Sequence, residues 1–405
     1  MKHNWKTHFY ILWTGEAVSV LSSAVLQMAL IWHLTATTQS AAVLSAASIA
    51  GFLPAALLGS VAGTLVDRWN RKAVMIGADL FIALVSLSLT VCALFAELPV
   101  WLILVVLFVR SIGAAFHTPA ISAVTPLLVP EGMLTRCSGL TQTLQTLGYI
   151  AGTAVAGVLY PIWSISGMVL LDVAGAALAS VAVAFVPVPD VARSQNAEKP
   201  HLLREIREGY RALRKNRGLF SLLWIGAAFS LIYSPINALF PLMIMGYFGG
   251  TTAQASVAEI AFSVGMLGGG LLLGVWGGFK NRAVSIIGAL FLMSAAIGVA
   301  GLLPPSGFVI FAVLCLFMGL SAPFYSGPQM ALMQERIAPE FLGRVFGLYT
   351  SIMSLAMPFG LVVSGLFADR VGVHTWFLIS GMLCTLLSVV TVALPVVRGI
   401  ERETA

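Results

Sequence analysis

Long apolar runs follow one another along this chain with only short gaps between them, and this limits the fold more than any other feature. A run of about 20 apolar residues matches the roughly 30 Å of hydrocarbon in a bilayer. Charged residues make up only 9% of the chain, against roughly 25% in soluble domains, so there is too little polar surface for water. Within hydrocarbon every backbone N–H and C=O must find a partner inside the protein, which leaves helices or closed barrels. A barrel would show alternating strands of about 10 residues. The runs here are continuous, so membrane-spanning helices are predicted.

Hydropathy and breakers place twelve spans: Phe9–Leu34, Ala42–Val66, Ala73–Phe95, Val100–Val124, Ser138–Tyr160, Gly167–Val186, Leu219–Tyr247, Ser256–Gly277, Ala283–Leu303, Gly307–Met333, Val345–Ala368 and Thr375–Val397. The predicted fold class is an all-α membrane protein of two six-helix halves, residues 1–188 and 219–405, joined by a cytoplasmic linker at 189–218. Within the linker, Leu203, Ile206, Tyr210 and Leu213 recur at helical spacing among many charges, which predicts an amphipathic helix on the membrane surface. With the N-terminus inside, all but Arg110 and Arg370 of the 22 basic residues fall on the cytoplasmic side. That is the positive-inside pattern, and a wrong span count would scramble it. Both termini are therefore expected in the cytoplasm. Lys2 and Lys6 precede a first apolar run too long for a signal peptide, so that run is expected to stay as a span. Cys92, Cys137, Cys315 and Cys384 are scattered and read as small buried hydrophobes; no metal and no cofactor are expected.

The halves resemble each other weakly. Phe116-His117-Thr118-Pro119 stands at the same offset from Tyr325-Ser326-Gly327-Pro328 as Pro130-Glu131 does from Pro339-Glu340. Parallel six-helix halves are the plan of transporters that bind substrate near the midplane.

The most informative stretch joins spans 2 and 3: Gly63-Thr64-Leu65-Val66-Asp67-Arg68-Trp69-Asn70-Arg71-Lys72. It resembles the major facilitator signature G-x-L-x-D-R-x-G-R-K. Asn70 replaces the second glycine and is the next-best residue for a turn with positive φ. Gly59 and Gly63 have the small-xxx-small spacing that lets helices approach closely. Asp67 lies at a helix end, where it can face the positive N-terminus of a partner helix; the resemblance makes that partner span 11, near Val345. Gly63, Asp67, Arg68, Arg71 and Lys72 are thus candidates for a conformational switch. A related pattern, Gly365-Leu366-Phe367-Ala368-Asp369-Arg370-Val371-Gly372, falls on the outer side and fits inverted repeats within each half. In span 5, Gly148, Gly152 and Gly157 resemble the antiporter signature G-x-x-x-G-P-x-x-G-G, with Thr153 in place of proline.

Arg110 in span 4 lies roughly 15 Å into the membrane and needs a carboxylate, carbonyls or water. The other intramembrane charges are its candidate partners: Glu16, Asp79, Asp172 and Glu259. The same acids are candidates for proton coupling, since a desolvated carboxylate can exchange a proton near neutral pH. Glu259 stands near the outer end of span 8. His33 and His117 are weaker candidates.

Four segments carry a closer resemblance: Ala123–Glu131, Pro235–Leu242, Gly319–Gly327 and Ser351–Pro358. They are similar to the bacterial Mef macrolide-efflux proteins, and the likeness runs over nearly the whole chain. It implies export of 14- and 15-membered macrolides across the bacterial inner membrane, coupled to proton entry and often beside a ribosome-protecting ABC-F protein; the chain is expected to be a monomer. A cavity for a large amphipathic monocation would be aromatic, with one acid; Trp13, Trp32, Phe116, Tyr149, Tyr233, Phe324 and Tyr325 could line it. Pro119, Pro235, Pro323 and Pro358 are expected to break or kink their helices around it. An exporter of another amphipathic drug or metabolite is the alternative within transport. No HExxH, paired histidines or phosphate-binding loop points to an enzyme or to direct ATP use. The net charge of +6 belongs to the membrane surface and not to a nucleic-acid partner.

Overall fold

The computed structural model describes residues 5–66, 68–188, 202–279 and 281–400. Among them every regular element is helical. The first six helices are α1 (Trp5–Thr38), α2 (Ala41–Val66), α3 (Arg71–Ala93), α4 (Val100–Leu128), α5 (Leu134–Leu159) and α6 (Ile165–Phe185). A short amphipathic helix, α7 (Leu202–Lys215), comes next. Then follow α8 (Arg217–Leu242, running into a π-helical turn at Met243–Tyr247), α9 (Thr252–Trp276), α10 (Arg282–Leu302), α11 (Phe308–Arg336), α12 (Pro339–Val371), α13 (Val373–Ala393) and α14 (Pro395–Arg398). The long helices overrun the predicted spans at several ends because polar caps, not the hydrocarbon boundary, stop them. Asn70, Ser164, Asn216 and Asn281 cap α3, α6, α8 and α10, and Thr251 with Gln254 forms a capping box on α9.

Eleven described helices are long and apolar enough to cross a membrane. The remaining predicted span, α5, has the length but begins as Leu-Thr-Arg-Cys-Ser-Gly-Leu-Thr-Gln-Thr-Leu-Gln-Thr. The prolines do not break their helices: α4, α8, α11 and α12 continue through Pro119, Pro235, Pro323 and Pro358. A helical proline leaves the carbonyl four residues earlier without its donor. At Pro328 that carbonyl belongs to Phe324, and the Ser285 hydroxyl donates to it at 3.1 Å.

The chain divides into two compact units, Met1–Thr38 with Ala46–Asn196 and Gln39–Ser45 with Ala197–Ala405. In the first, α1 packs on α5 and α6, and α3 on α4 and α6. In the second, α8 packs on α12 and α13, and α10 on α11 and α13. The same order of pairings thus recurs, one half repeating the other. The tightest approach in the second unit is α9 on α11. A side chain at Gly265 would overlap the Leu316 carbonyl, and one at Gly319 the Phe262 carbonyl. Helix α7 lies on α12, with Leu213 buried and the Glu208 carboxylate paired to Arg344 at 2.7 Å.

Residues 39–45 group with the second unit because Asp369 holds them. Its carboxylate accepts from the Ser40 hydroxyl at 2.8 Å and from the Ala41 and Ala42 N–H groups at 2.5 and 3.2 Å. Ser45 and Ser364 share a hydrogen bond of 2.8 Å one turn further along. A carboxylate at a helix start neutralises the positive end of the dipole. Asp369 therefore does at the start of α2 what the resemblance assigns to Asp67 in the signature. Asp67 itself lies outside the described residues.

Candidate proton-coupling site

Three helices of the first unit turn polar stripes toward one cavity of about 480 Å³. On α1 the stripe is Glu16, Ser19 and Ser23; on α4 it is His117, Thr118, Ser122 and Thr125; on α5 it is Ser138, Thr141, Gln142 and Gln145. Spacings of three, four and seven put such residues on one helix face. This is why α5 reads as too polar for a span: its first half is cavity wall.

The charged groups form two layers. One holds Glu16 of α1, Asp79 of α3 and His117 of α4. The other holds Ser23, Ser86 and Arg110 of the same three helices, together with Asp172 of α6. Each of α1, α3 and α4 contributes to both layers with residues seven positions apart, a separation of roughly 10 Å along a helix.

The second layer is closed. Arg110 donates to Asp172 at 2.5 Å and to the Ser86 hydroxyl, and Ser23 donates to the other Asp172 oxygen at 2.7 Å. Arg110 and Asp172 are both buried. Of the four partners the sequence offered Arg110, the fold selects Asp172.

The first layer is open. His117 Nε2 lies 3.3 Å from Asp79 Oδ1 and 3.8 Å from Glu16 Oε2, without the alignment of a hydrogen bond to either. Gln145 donates to Glu16 at 3.3 Å. Asp79 is buried, and its second oxygen meets no donor among the described residues. One imidazole between two carboxylates, on the wall of a polar cavity, can take up and release a proton or a cation. His117, placed behind the acids by sequence alone, stands between two of them.

The other candidates scatter. Glu259 lies on α9 in the second unit and not in this cluster. His33 lies near the far end of α1 from Glu16. Tyr233 stacks on Phe229 at 5.5 Å, and Phe229 lies 5.7 Å from Tyr325; these three rings line a smaller cavity of about 200 Å³ in the second unit. Phe324 pairs with Trp276. Trp13 donates to the Leu140 carbonyl, Phe116 stacks on Trp69 at 6.2 Å, and Tyr149 is partly exposed; none of these three is among the residues lining the polar cavity. Trp32 is fully buried against Tyr160, as core.

In the signature loop, Arg71 donates to the Ala123 carbonyl, and Lys72 donates to Ala184 and Val186 at the end of α6. These cations hold the carbonyl ends of neighbouring helices, where the dipole is negative. Arg68 is exposed. Asn70 corrects the expectation of a left-handed turn. Its φ is −68°, and its side chain accepts from the Ala73 N–H at 3.0 Å, so it serves as a helix cap. Gly59 and Gly63 correct another: among the described residues a Cβ at either would meet nothing within 4 Å. Close approach falls instead on span 5. A Cβ at Gly148 would overlap Val20, and one at Gly152 would overlap Ala24 and the Leu21 carbonyl; Gly157 is buried. Gly152→Val is therefore expected to force α5 off α1 at a cost of about 1–3 kcal/mol. Thermal melting in detergent should show the loss, whereas Gly63→Ala should melt like the parent.

The Major Facilitator Superfamily profile matches residues 12–361 and 229–404. Macrolide efflux protein A of Streptococcus pyogenes is 52% identical over 400 residues, covering 99% of this chain and 98% of that protein. The multidrug efflux pump Tap of Mycolicibacterium fortuitum is 27% identical over 391 residues, covering 91% of each. Among solved structures, the nucleoside transporter NupG superposes with a TM-score of 0.71 at 16% identity, covering 95% of this chain and 98% of that one. With helices that can cross a membrane, a repeated six-helix packing and a charged polar cavity inside one half, this chain belongs to the major facilitator superfamily, on its Mef-type branch.

Proposed function

We propose that the chain exports macrolide antibiotics across the bacterial cytoplasmic membrane in exchange for protons, by alternating access, as a monomer with both termini in the cytoplasm. The observation that carries the coupling is the open Glu16–Asp79–His117 layer on the cavity wall. A macrolide with its amine protonated and a proton are both monocations. A site of two carboxylates and one imidazole can hold either, so release of one can accompany entry of the other. The closed Arg110–Asp172 pair supplies no such exchange and fixes the geometry around it. The substrate class rests on likeness to the streptococcal protein, which spans nearly the whole of both chains. Asp67, with Arg68, Arg71 and Lys72, is proposed as the cytoplasmic switch. A ribosome-protecting ABC-F protein would act in parallel. The likeness to a multidrug pump favours one second reading, a wider range of amphipathic drugs.

The test is erythromycin accumulation in an efflux-deficient host. Cells carrying the gene should hold several-fold less drug than cells without it, and an uncoupler should erase the difference. Equal accumulation in both would sink the macrolide reading. A difference that survives the uncoupler would sink proton coupling and leave the substrate intact.

A further inference from the structure

Between α7, the end of α11 and the start of α12 lies a cavity of about 620 Å³ that the transport reading does not use. Arg211 and Lys215 of α7 and Arg336 of α11 stand on its wall. Among the described side chains one acid reaches it, Glu208, and that carboxylate is paired to Arg344. Arg211 and Lys215 form no ion pair among the described residues. Two helix starts also open here. Asn216 precedes α8, and Ala338 precedes α12, which has no side-chain cap. Two helices also end here, α7 at Lys215 and α11 at Arg336, so the helix dipoles oppose one another, and the positive charge of the wall is that of its cations. The rest of the wall is apolar, chiefly Ile337 and Phe341.

The level of the cavity is set by the helices around it. Two membrane helices begin there and a third ends there, which places it at the bilayer surface. A site with excess positive charge, an apolar flank and this depth suits a phosphate ester that carries hydrocarbon. We infer that the cavity binds the phosphodiester headgroup of an anionic phospholipid, of the phosphatidylglycerol class. Arg211, Lys215 and Arg336 take the phosphate; Ile337 and Phe341 take the glycerol and the first methylenes. Free phosphate shares the first half of this chemistry and lacks the second. Bound lipid would hold α7 against α11 and α12 through a common counter-ion.

The test titrates the full detergent-solubilised chain with dioctanoyl-phosphatidylglycerol, dioctanoyl-phosphatidylcholine and inorganic phosphate. Binding is read by native mass spectrometry and by the unfolding midpoint. Phosphatidylglycerol should bind saturably and raise the midpoint, phosphatidylcholine should not, and phosphate should bind at least about tenfold more weakly. Near a membrane surface each basic residue is worth roughly a fivefold change in affinity, so Arg211→Gln with Lys215→Gln should weaken phosphatidylglycerol roughly 25-fold. Arg207→Gln, on α7 but off the cavity wall, should change nothing. If the double variant fails to fold, Arg211→Gln alone carries the test, with a loss of about fivefold. Equal binding of the two lipids, or variants that bind like the parent, would overturn the site. Phosphate binding as tightly as phosphatidylglycerol would keep an anion site and overturn the lipid.

Discussion

Everted membrane vesicles bearing Asp79→Asn are expected to lose proton-driven macrolide transport while containing a normal amount of normally melting protein. Asparagine keeps the volume of the side chain and removes its charge. Asp79 lies 3.3 Å from His117, and its second oxygen meets no donor among the described residues, so the substitution breaks no hydrogen bond found among them. It does remove one of the two carboxylates that flank the imidazole. Asparagine also imitates a carboxyl that never gives up its proton. Substrate counterflow, which needs no net proton movement, should therefore survive in the variant, and Asp79→Glu should restore pH-dependent transport. Glu16→Gln should weaken coupling less, because Glu16 lies 3.8 Å from the imidazole and already accepts from Gln145. Full pH-dependent efflux by Asp79→Asn would remove this layer from the coupling mechanism.

How much of this was legible in the sequence depends on the range of the interaction. The membrane class follows from local composition, because hydrocarbon tolerates few alternatives to a helix. The candidate acids were legible for the same reason: a charge inside an apolar run stands out. Their pairing was not. Arg110 has four conceivable partners in sequence, and only the mutual rotation of α3, α4 and α6 decides for Asp172. His117 was set behind the acids because a lone histidine in a span carries no sign of its neighbours. Yet the spacing of seven between Glu16 and Ser23, Asp79 and Ser86, and Arg110 and His117 was present throughout. It marks two layers once three helices are known to face one cavity, and it means nothing before that. Asn70 and Gly63 show the opposite failure. Their motif suggested a left-handed turn and a close helix contact, while the backbone there uses a side-chain cap and leaves the glycine uncrowded. A motif fixes which residues stand together in sequence, and tertiary contacts decide how each is used.

Asp172→Asn is expected to behave in the opposite way from Asp79→Asn, by failing to fold. Asp172 is the only carboxylate bonded to Arg110 among the described residues, and both side chains are buried. Neutralising it leaves a guanidinium in the membrane interior with neutral acceptors alone, the Ser86 hydroxyl and the asparagine carbonyl. Stranding one member of a buried ion pair costs about 3–5 kcal/mol, a large share of the roughly 5–15 kcal/mol that stabilises a typical protein. The single variant should therefore yield little folded protein, and what folds should melt early. Arg110→Gln should be similarly damaging through the stranded acid. The double variant Arg110→Gln with Asp172→Asn strands no charge and can form an amide pair, so it should regain most of the parental stability. The non-additivity of that cycle measures the pair directly. If Asp172→Asn melts like the parent yet transports without pH dependence, the exchangeable proton sits on the Arg110 layer and the assignment to Asp79 fails. If instead the double variant is stable and still proton-coupled, then the pair serves as scaffold and coupling belongs to the layer roughly 10 Å away.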